Sequence, residues 1–141
     1  MIIQIKKVHP EAKLPERAHA SDAGLDLFIL DDVVLEKGST VVLGTGIAMA
    51  IPDGYVGLIW DKSGLAAKNG LTCLGGVIDS GYRGEIMVTL ANLGTDAYTI
   101  TKHQKIAQLL IQEVALPKLE EVEELDETSR GENRFGSTGT H

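Results

Sequence analysis

The C-terminal stretch holds the residues best suited to binding a phosphorylated ligand. Residues 130–139 contain two arginines, Arg130 and Arg134, and one aromatic residue, Phe135, which Gly136 follows. Arginine binds phosphate oxygens through its planar fork, and an aromatic ring stacks on a flat base. Glycines close to the ring allow positive φ and a close approach of the backbone. The stretch therefore predicts a tail that wraps a ligand with phosphates and a flat ring.

Asp79 is the candidate for acid–base chemistry. It follows the apolar run 76–78, which would hold its carboxylate against a strand, and precedes residues 80–81, where the chain would turn away. A turn residue that hydrogen-bonds its own backbone is the alternative interpretation. The adjacent Gly75 and Gly76 would let the backbone approach the edge of a base, and they are equally typical of a β-bulge.

Short strands separated by turns are the elements that would position these residues. Apolar and alternating runs predict strands at residues 2–6, 25–30, 40–51, 55–60, 85–93 and 106–114. Turn-forming residues stand between them at 31–32, 37–39, 52–54, 80–81 and 94–96. The one helical pattern covers residues 65–69, where Ser63 would cap the start and Gly70 the end. The pattern predicts a mostly-β domain of sandwich or barrel-like architecture.

Composition limits the possible classes of function. The chain has 141 residues, enough for one domain, of which 43% are hydrophobic and 23% charged. Its net charge of -7 argues against nucleic acid as a partner, since duplex binding needs clustered lysines and arginines. No apolar run is long enough to span a membrane, and the first residues lack the pattern of a signal peptide. We therefore expect a soluble cytoplasmic protein without membrane contact.

Cysteine and histidine give no sign of a disulfide or a structural metal. Cys73 is the single cysteine, so no disulfide can form within the chain. None of His9, His19, His103 and His141 stands at metal-ligand spacing from the cysteine or from another histidine. No zinc site is therefore expected.

Five segments in order carry a resemblance to a known family. They read SDAGLDL at 21–27, DKSGLAAKNG at 61–70, GGVIDSGYRGEI at 75–86, KIAQLLIQ at 105–112 and RGENRFGSTG at 130–139. Together they resemble the signature segments of trimeric dUTP diphosphatases. The resemblance implies an all-β, β-clip fold, a jelly-roll-like distorted barrel with one short helix, assembled as a homotrimer. It also implies a core at residues 1–127 and a flexible arm at 128–141 that closes over the active site.

The resemblance implies a reaction as well. Asp79 would activate a water molecule for attack on the α-phosphorus of dUTP, releasing dUMP and pyrophosphate. Mg²⁺ would be the cofactor, held mainly by substrate phosphates and water, with no direct protein ligand. In the cell the reaction would keep uracil out of DNA and supply dUMP for thymidylate synthesis.

The family motifs carry over onto a set of substrate-binding residues. These are Lys62, Ser63, Gly64, Gly76, Val77, Ile78, Tyr82, Met87, Gln108, Arg130, Phe135 and Gly136. Backbone groups of residues 74–78 would read uracil, Tyr82 would stack under the deoxyribose, and Gln108 would contact the α-phosphate or order the water. Arg130 would contact the γ-phosphate, and Phe135 would cover the base. Asp26 would support the site rather than react.

Other interpretations of these residues stay open. Tyr82 could pack in a core, Gln108 could be a polar group at a strand edge, and Asp26 could be a carboxylate at the start of a strand. Arg83 suits an exposed or intersubunit salt bridge as well as a substrate contact. A dCTP deaminase would share the fold but needs an acid–base set that is not recognisable here. A trimeric sensor that binds dUTP without hydrolysis is the non-enzymatic alternative, against which the intact Asp79 and the intact tail argue.

Two positions depart from the family pattern. Lys62 stands where arginine is usual, and it keeps the charge but loses the two-pronged fork. Arg134 stands where glycine usually precedes the aromatic residue. We hypothesise that Arg134 partly replaces the missing fork, in which case Arg134→Gly should raise the KM for dUTP.

Overall fold

Ten strands and one helix form the part of the chain that the structure describes, residues 1–129 and 131–132 of a computed structural model. In chain order they are β1 (Gln4–Lys7), β2 (Leu25–Phe28), β3 (Val33–Leu35), β4 (Thr40–Ala50), β5 (Tyr55–Asp61), α1 (Ser63–Asn69), β6 (Leu71–Leu74), β7 (Val77–Ile78), β8 (Glu85–Asn92), β9 (Tyr98–Ile100) and β10 (Lys105–Glu113). The predicted all-β class with one short helix is confirmed within these residues.

The strands form two four-stranded sheets and one small ribbon. One sheet has the order β1-β4-β8-β6, the other has the order β2-β10-β5-β7, and β3 pairs with β9. Every pair is antiparallel. Strand β5 lies between β10 and β7, so Gln108 of β10 and Val77 and Ile78 of β7 belong to one sheet.

The two four-stranded sheets share one hydrophobic core. Leu27 and Leu109 from one sheet and Ile47, Val88 and Leu90 from the other are at most 1% exposed. Large and small side chains alternate at residues 47–51, at the end of β4 and just after it. The larger ones, Ile47, Met49 and Ile51, pack in this core. A shared apolar core fixes the two sheets against each other, because a slip of one residue would expose the buried face of a strand.

All six strands expected from the sequence are present, with ends shifted by one or two residues in most of them. The additional strands β3, β6, β7 and β9 have two to four residues each and were not expected. Such short strands carry too few residues to show a period of two, and their pairing comes from neighbours distant in sequence.

The described residues beyond β10 are exposed. Leu116, Leu119 and Leu125 are 79%, 94% and 86% exposed, and the described residues from 114 onward form no helix or strand. The expected division into a core at 1–127 and an arm at 128–141 stays a prediction, since Arg130 and residues 133–141 lie outside the described residues. No helix in the described part of the chain has the length and apolar character needed to cross a bilayer.

Candidate functional site

The connection from β7 to β8, which we call the hairpin although β7 pairs with β5 and β8 pairs with β4 and β6, carries the candidate catalytic residue. Asp79 directly follows β7 and is exposed, and its carbonyl accepts a hydrogen bond of 3.0 Å from the Tyr82 amide. The Arg83 guanidinium donates to the carbonyls of Ser80 and Tyr82 at 2.5 and 2.8 Å. These bonds satisfy carbonyl groups of a turn that has no strand partner. Arg83 therefore folds back on its own turn rather than extending toward solvent.

Six of the predicted residues line one pocket of about 210 Å³ beside this hairpin. They are Gly76, Val77, Ile78, Asp79, Tyr82 and Met87. Tyr82, Val77 and Met87 are 46%, 67% and 41% exposed, so three large side chains face the pocket rather than the core. Tyr82 is therefore not a core residue. The hairpin provides an apolar wall, an accessible carboxylate and free backbone in one place.

The two glycines before β7 give this pocket its backbone edge. Both have positive φ, 68° at Gly75 and 93° at Gly76, a region that other residues rarely adopt. A Cβ at residue 76 would lie 3.0 Å from both the Cβ and the carbonyl oxygen of Ile59, whereas one at residue 75 would meet nothing. The Gly76 carbonyl accepts from the Ile59 amide at 2.8 Å, which ties the edge to β5.

A second group of predicted residues surrounds the adjoining ends of β2, β10 and β5. Gln108 on β10 lies opposite Asp26 on β2 and Trp60 on β5, so the three side chains share one face of the sheet. The Gln108 amide donates to the carbonyl of Asp61 at 2.9 Å, and its oxygen lies over Gly24, where a Cβ would not fit. Gln108 is thus an interior part of the sheet rather than a polar group at its edge.

Asp26 is a buried carboxylate that two lysines share. It is 5% exposed, and it accepts hydrogen bonds from Lys62 and from Lys105, the latter at 3.1 Å. Lys105 also pairs with Glu16 at 2.8 Å. Burial opposes ionisation of Asp26, but the hydrogen bonds and charges of Lys62 and Lys105 outweigh it and lower its pKa. The site therefore contains a fixed negative charge that orients Lys62.

Helix α1 begins next to this ion pair. Lys62 is the N-cap residue, with φ −80° and ψ 115°, and no side chain caps the helix. The prediction that Ser63 caps it is wrong, because Ser63 is already the first helical residue. The helix ends as predicted at Gly70, whose φ is 68° and whose amide bonds back to Ala66 at 3.0 Å. Ser63 and Gly64 thus begin the helix with their amide groups unoccupied by a cap.

Asp61 and Lys105 are polar residues of this region that the sequence did not single out. The Asp61 carboxylate accepts from the Thr72 hydroxyl at 2.9 Å and from the Cys73 amide at 2.5 Å, which joins β5 to β6. Burial, and then the hydrogen bond and charge of Asp61, raise the pKa of the Cys73 thiol to about 12. Lys105 stands at the head of the KIAQLLIQ segment, and its position in that motif was the available signal.

The two groups lie apart within one chain. Ile78, just before Asp79, pairs with Gly57 in the middle of β5, whereas Lys62 follows the far end of that strand. The five steps along the chain from Gly57 to Lys62 correspond to about 16 Å of extended strand. A single protomer therefore does not bring Asp79 together with Lys62.

No group of three or more histidine, cysteine, aspartate or glutamate side chains is arranged to hold a metal ion within residues 1–129 and 131–132. Arg130, Arg134, Phe135 and Gly136 lie outside the described residues, so their predicted contacts have no structural counterpart here.

The sequence is similar to a group of nucleotide hydrolases over nearly its whole length. The dUTPase family matches residues 10–139. The deoxyuridine 5'-triphosphate nucleotidohydrolase of Rhodococcus erythropolis is 49% identical over 142 residues, covering 99% of this chain and 87% of that protein. The protein of the same name from Corynebacterium glutamicum is 50% identical over 140 residues, covering 97% and 94%.

Solved structures agree with the sequence match. The dUTPase of Staphylococcus bacteriophage 80alpha, determined with dUpNHpp, has a TM-score of 0.92 and 34% identity, covering 98% of both chains. A mutant dUTPase of S. aureus phage phi11, studied for the coordination of a structural Mg(II) ion, has a TM-score of 0.83 and 32% identity, covering 88% of this chain and 98% of that one. These matches confirm the β-clip, jelly-roll-like fold.

Proposed function

The chain belongs to the dUTPase family, and from that premise we propose how its residues convert dUTP to dUMP and pyrophosphate. Membership confirms the resemblance seen in the sequence and makes this an enzyme that hydrolyses dUTP. The exposed carboxylate of Asp79 at a pocket with free backbone and a tyrosine is the observation that carries the mechanism. The proposed cellular consequence is that uracil stays out of DNA and dUMP becomes available for thymidylate synthesis.

Asp79 is the proposed general base. Its carboxylate takes a proton from a water molecule, whose oxygen forms a bond to the α-phosphorus. The bond from that phosphorus to the oxygen bridging to the β-phosphorus breaks, and pyrophosphate leaves with the electron pair. A positioned carboxylate contributes about 10²–10⁴-fold to such a step. Support comes from its turn, where the hydrogen bond to Tyr82 and the Arg83 contacts fix the backbone on either side.

The backbone of residues 74–78 is proposed to read uracil. The positive φ of Gly76 and its contact with Ile59 leave little freedom in this edge, so its donors and acceptors keep fixed positions. A rigid edge rejects cytosine because its donors and acceptors are mismatched, and thymine because its methyl group is crowded. Val77, Ile78 and Met87 supply apolar contact in the same pocket.

Tyr82 is proposed to stack under the deoxyribose and to exclude a 2′-hydroxyl. Its hydroxyl donates to the Glu85 carbonyl at 2.9 Å, and its ring covers Gly84, where a Cβ would not fit. A ring held at both ends cannot move aside for a larger sugar. This arrangement supports discrimination against UTP.

Lys62, Ser63, Gly64 and Gln108 are proposed to bind the phosphates. Lys62 is oriented by Asp26, and the amides of Ser63 and Gly64 begin a helix without a side-chain cap. Arg130 is proposed for the γ-phosphate, and Phe135 with Gly136 for closure over the base, as part of the arm at 128–141. Lysine acts as a point charge where arginine would bind two oxygens, so its position depends more strongly on Asp26.

Magnesium fits this site through the substrate. The described residues supply no set of three carboxylate or histidine donors, and the Asp26 carboxylate is already shared by two lysines. Mg²⁺ usually keeps several waters and binds substrate phosphates, which matches such a site. When bound it would neutralise charge that develops on the triphosphate.

A homotrimer with shared active sites is proposed because the two groups lie apart in one chain. The hairpin with Asp79 and the proposed phosphate-binding residues around Lys62 are separated by about 16 Å along β5. The hairpin of one subunit would face the phosphate-binding residues of a neighbouring subunit. A monomer would then lack a complete site.

The first test is pyrophosphate release from dUTP, dCTP, dTTP and UTP with magnesium. We expect kcat/KM for dUTP to exceed by far that for each of the other three nucleotides, and Asp79→Asn should lower kcat for dUTP by about 10²–10⁴-fold while the affinity for a non-hydrolysable dUTP analogue is kept. Asp31→Asn, at an exposed bend outside the site, is the matched control. Binding of dUTP without release would instead indicate a nucleotide sensor, and release of ammonia from dCTP would indicate a deaminase.

A further inference from the structure

The pairing of β4 with β8 contains a bulge next to the catalytic hairpin. Gly44 pairs with Met87 and Ala48 pairs with Glu85, so residues 45–47 of β4 face a single residue of β8. Gly46, in the middle of the bulge, has a φ of 70°. Bulges leave backbone groups unpaired in the ladder and re-aim the side chains beside them. The unpaired groups here are available to the side chains of β8.

The Glu85 carboxylate fills this bulge. It accepts the Gly46 amide at 2.8 Å, and a Cβ at residue 44 would lie 2.7 Å from the same oxygen. One carbonyl of β8 is held in a similar way, since the Thr45 hydroxyl donates to Ile86 at 2.6 Å. The first two residues of β8 are therefore fixed to β4 by side-chain bonds where the ladder is interrupted.

Glu85 also holds the tyrosine of the pocket. Its carbonyl accepts the Tyr82 hydroxyl at 2.9 Å, while its carboxylate is bound to the bulge. One residue thus connects β4 to the ring that lines the pocket with Asp79 and Met87. Displacement of the Glu85 backbone would release the tyrosine ring at its hydroxyl end.

We propose that Glu85 is a positioning residue that sets the discrimination between dUTP and UTP by holding Tyr82 in place. This proposal rests on the proposed function, in which Tyr82 excludes the 2′-hydroxyl. Glu85 does not touch the sugar in this role. Its carboxylate anchors the start of β8, and its carbonyl fixes the ring.

Residues 8–12, which lie in no helix or strand, contact the bulge at Gly46. The Gly46 carbonyl accepts the amides of Val8 and His9 at 2.8 and 3.2 Å. A Cβ at residue 46 would lie 2.8 Å from the Cβ of Ala12 and 2.9 Å from that of His9. The peptide that binds Glu85 is therefore supported from behind by residues 8–12.

The test compares two substitutions of Glu85 that differ only in the acceptor. Glu85→Gln keeps an oxygen that can accept the Gly46 amide, and Glu85→Met has similar length without one. We expect the ratio of kcat/KM for dUTP to that for UTP to fall about tenfold in Glu85→Met and to stay within about twofold in Glu85→Gln. An unchanged ratio in Glu85→Met, with a folded and active protein, would overturn the proposal.

A double-mutant cycle with Tyr82→Phe tests the route of the effect. If Glu85 acts through the tyrosine hydroxyl, Glu85→Met should change the ratio less than about twofold in the Tyr82→Phe background. Additive effects would overturn the proposal, because they would mean that Glu85 acts independently of Tyr82. Wild-type protein that releases no pyrophosphate from dUTP would refute the proposed function itself, which separates the two failures.

Discussion

At the scale of single residues, Asp26 shows how a buried carboxylate can position a lysine of the proposed phosphate site. Its carboxylate holds Lys62 beside the start of α1 and shares a second bond with Lys105. Removing one partner of a buried ion pair strongly destabilises the folded state of a protein, because the remaining charge is no longer compensated. The pair thus contributes to folding stability as well as to the position of Lys62.

Asp26→Asn should lower stability in a pH-dependent way. The folded-state pKa of Asp26 lies below its ordinary 3.8, so its stabilisation is present above pH 3.8 and is lost as pH falls through the lower folded-state pKa. We expect a loss of about 2 kcal/mol in the free energy of unfolding at pH 7. Urea denaturation from pH 7 to pH 2.5 measures it, and the gap between wild type and variant should narrow below pH 3.8. A gap that is constant with pH would contradict this reasoning.

The hairpin residues were predictable from sequence to different degrees. Asp79, Tyr82 and Gly76 stand in one contiguous motif, so the family resemblance was enough to assign them to one site. Glu85 belongs to the same motif, but its partner Gly46 is 39 residues away, and no local pattern shows that β4 bulges there. Asp61 likewise finds Thr72 and Cys73 only through the pairing of sheets.

At the scale of elements, the long strands followed from their periodicity and the short ones did not. β4 and β10 contain enough apolar residues to mark their cores, whereas β7 has two residues and depends on β5 for its hydrogen bonds. The helix end at Gly70 was visible because left-handed caps favour glycine. Its start was misplaced at Ser63, because a serine before an apolar run is a common cap and Lys62 is not.

Gly75 and Gly76, at the backbone edge that we propose reads uracil, should respond differently to alanine. Both have positive φ, so each substitution carries a backbone cost of about 1 kcal/mol. Only Gly76→Ala also forces a Cβ against the Cβ and carbonyl of Ile59. We therefore expect Gly75→Ala to keep most of the activity on dUTP and Gly76→Ala to lose at least about tenfold in kcat/KM, as the edge shifts.

Thermal denaturation and dUTP kinetics of both variants check this expectation. Gly38→Ala, at a φ of 73° with nothing near its Cβ, gives the backbone cost alone at a turn outside the site. Equal loss of activity in the two hairpin variants would show that the contact with Ile59 is unimportant.

At the scale of the whole molecule, the separation along β5 decides how an active site can be assembled. Asp79 follows the strand that pairs with Gly57, and Lys62 follows the opposite end of β5. A nucleoside triphosphate bound at the hairpin of one protomer would have to reach the phosphate-binding residues around Lys62 of another protomer. The order of motifs along the chain does not fix which copies of them meet, so only the family resemblance implied a homotrimer with shared active sites.

Two inactive variants should therefore restore activity when they share a trimer. In a mixed trimer of Asp79→Asn and Lys62→Met subunits, one interface joins an intact Asp79 to an intact Lys62 from the neighbour. If the proposed trimer is cyclic, one of the three sites in every mixed trimer is complete, so trimers that contain both variants should have about a third of the wild-type activity.

Co-expression of the two variants with different affinity tags, followed by sequential purification and pyrophosphate assay, measures this recovery. Each variant purified alone is one control, and a mixture of the two separately purified trimers is the other. The mixture should be no more active than the single variants. Recovery in the co-expressed trimer would mean that Asp79 and Lys62 act across an interface. Mixed trimers without activity would mean that Asp79 and Lys62 act in the site of one subunit. That result would contradict the shared site, which we infer from the separation of about 16 Å along β5 between the two residues of one subunit.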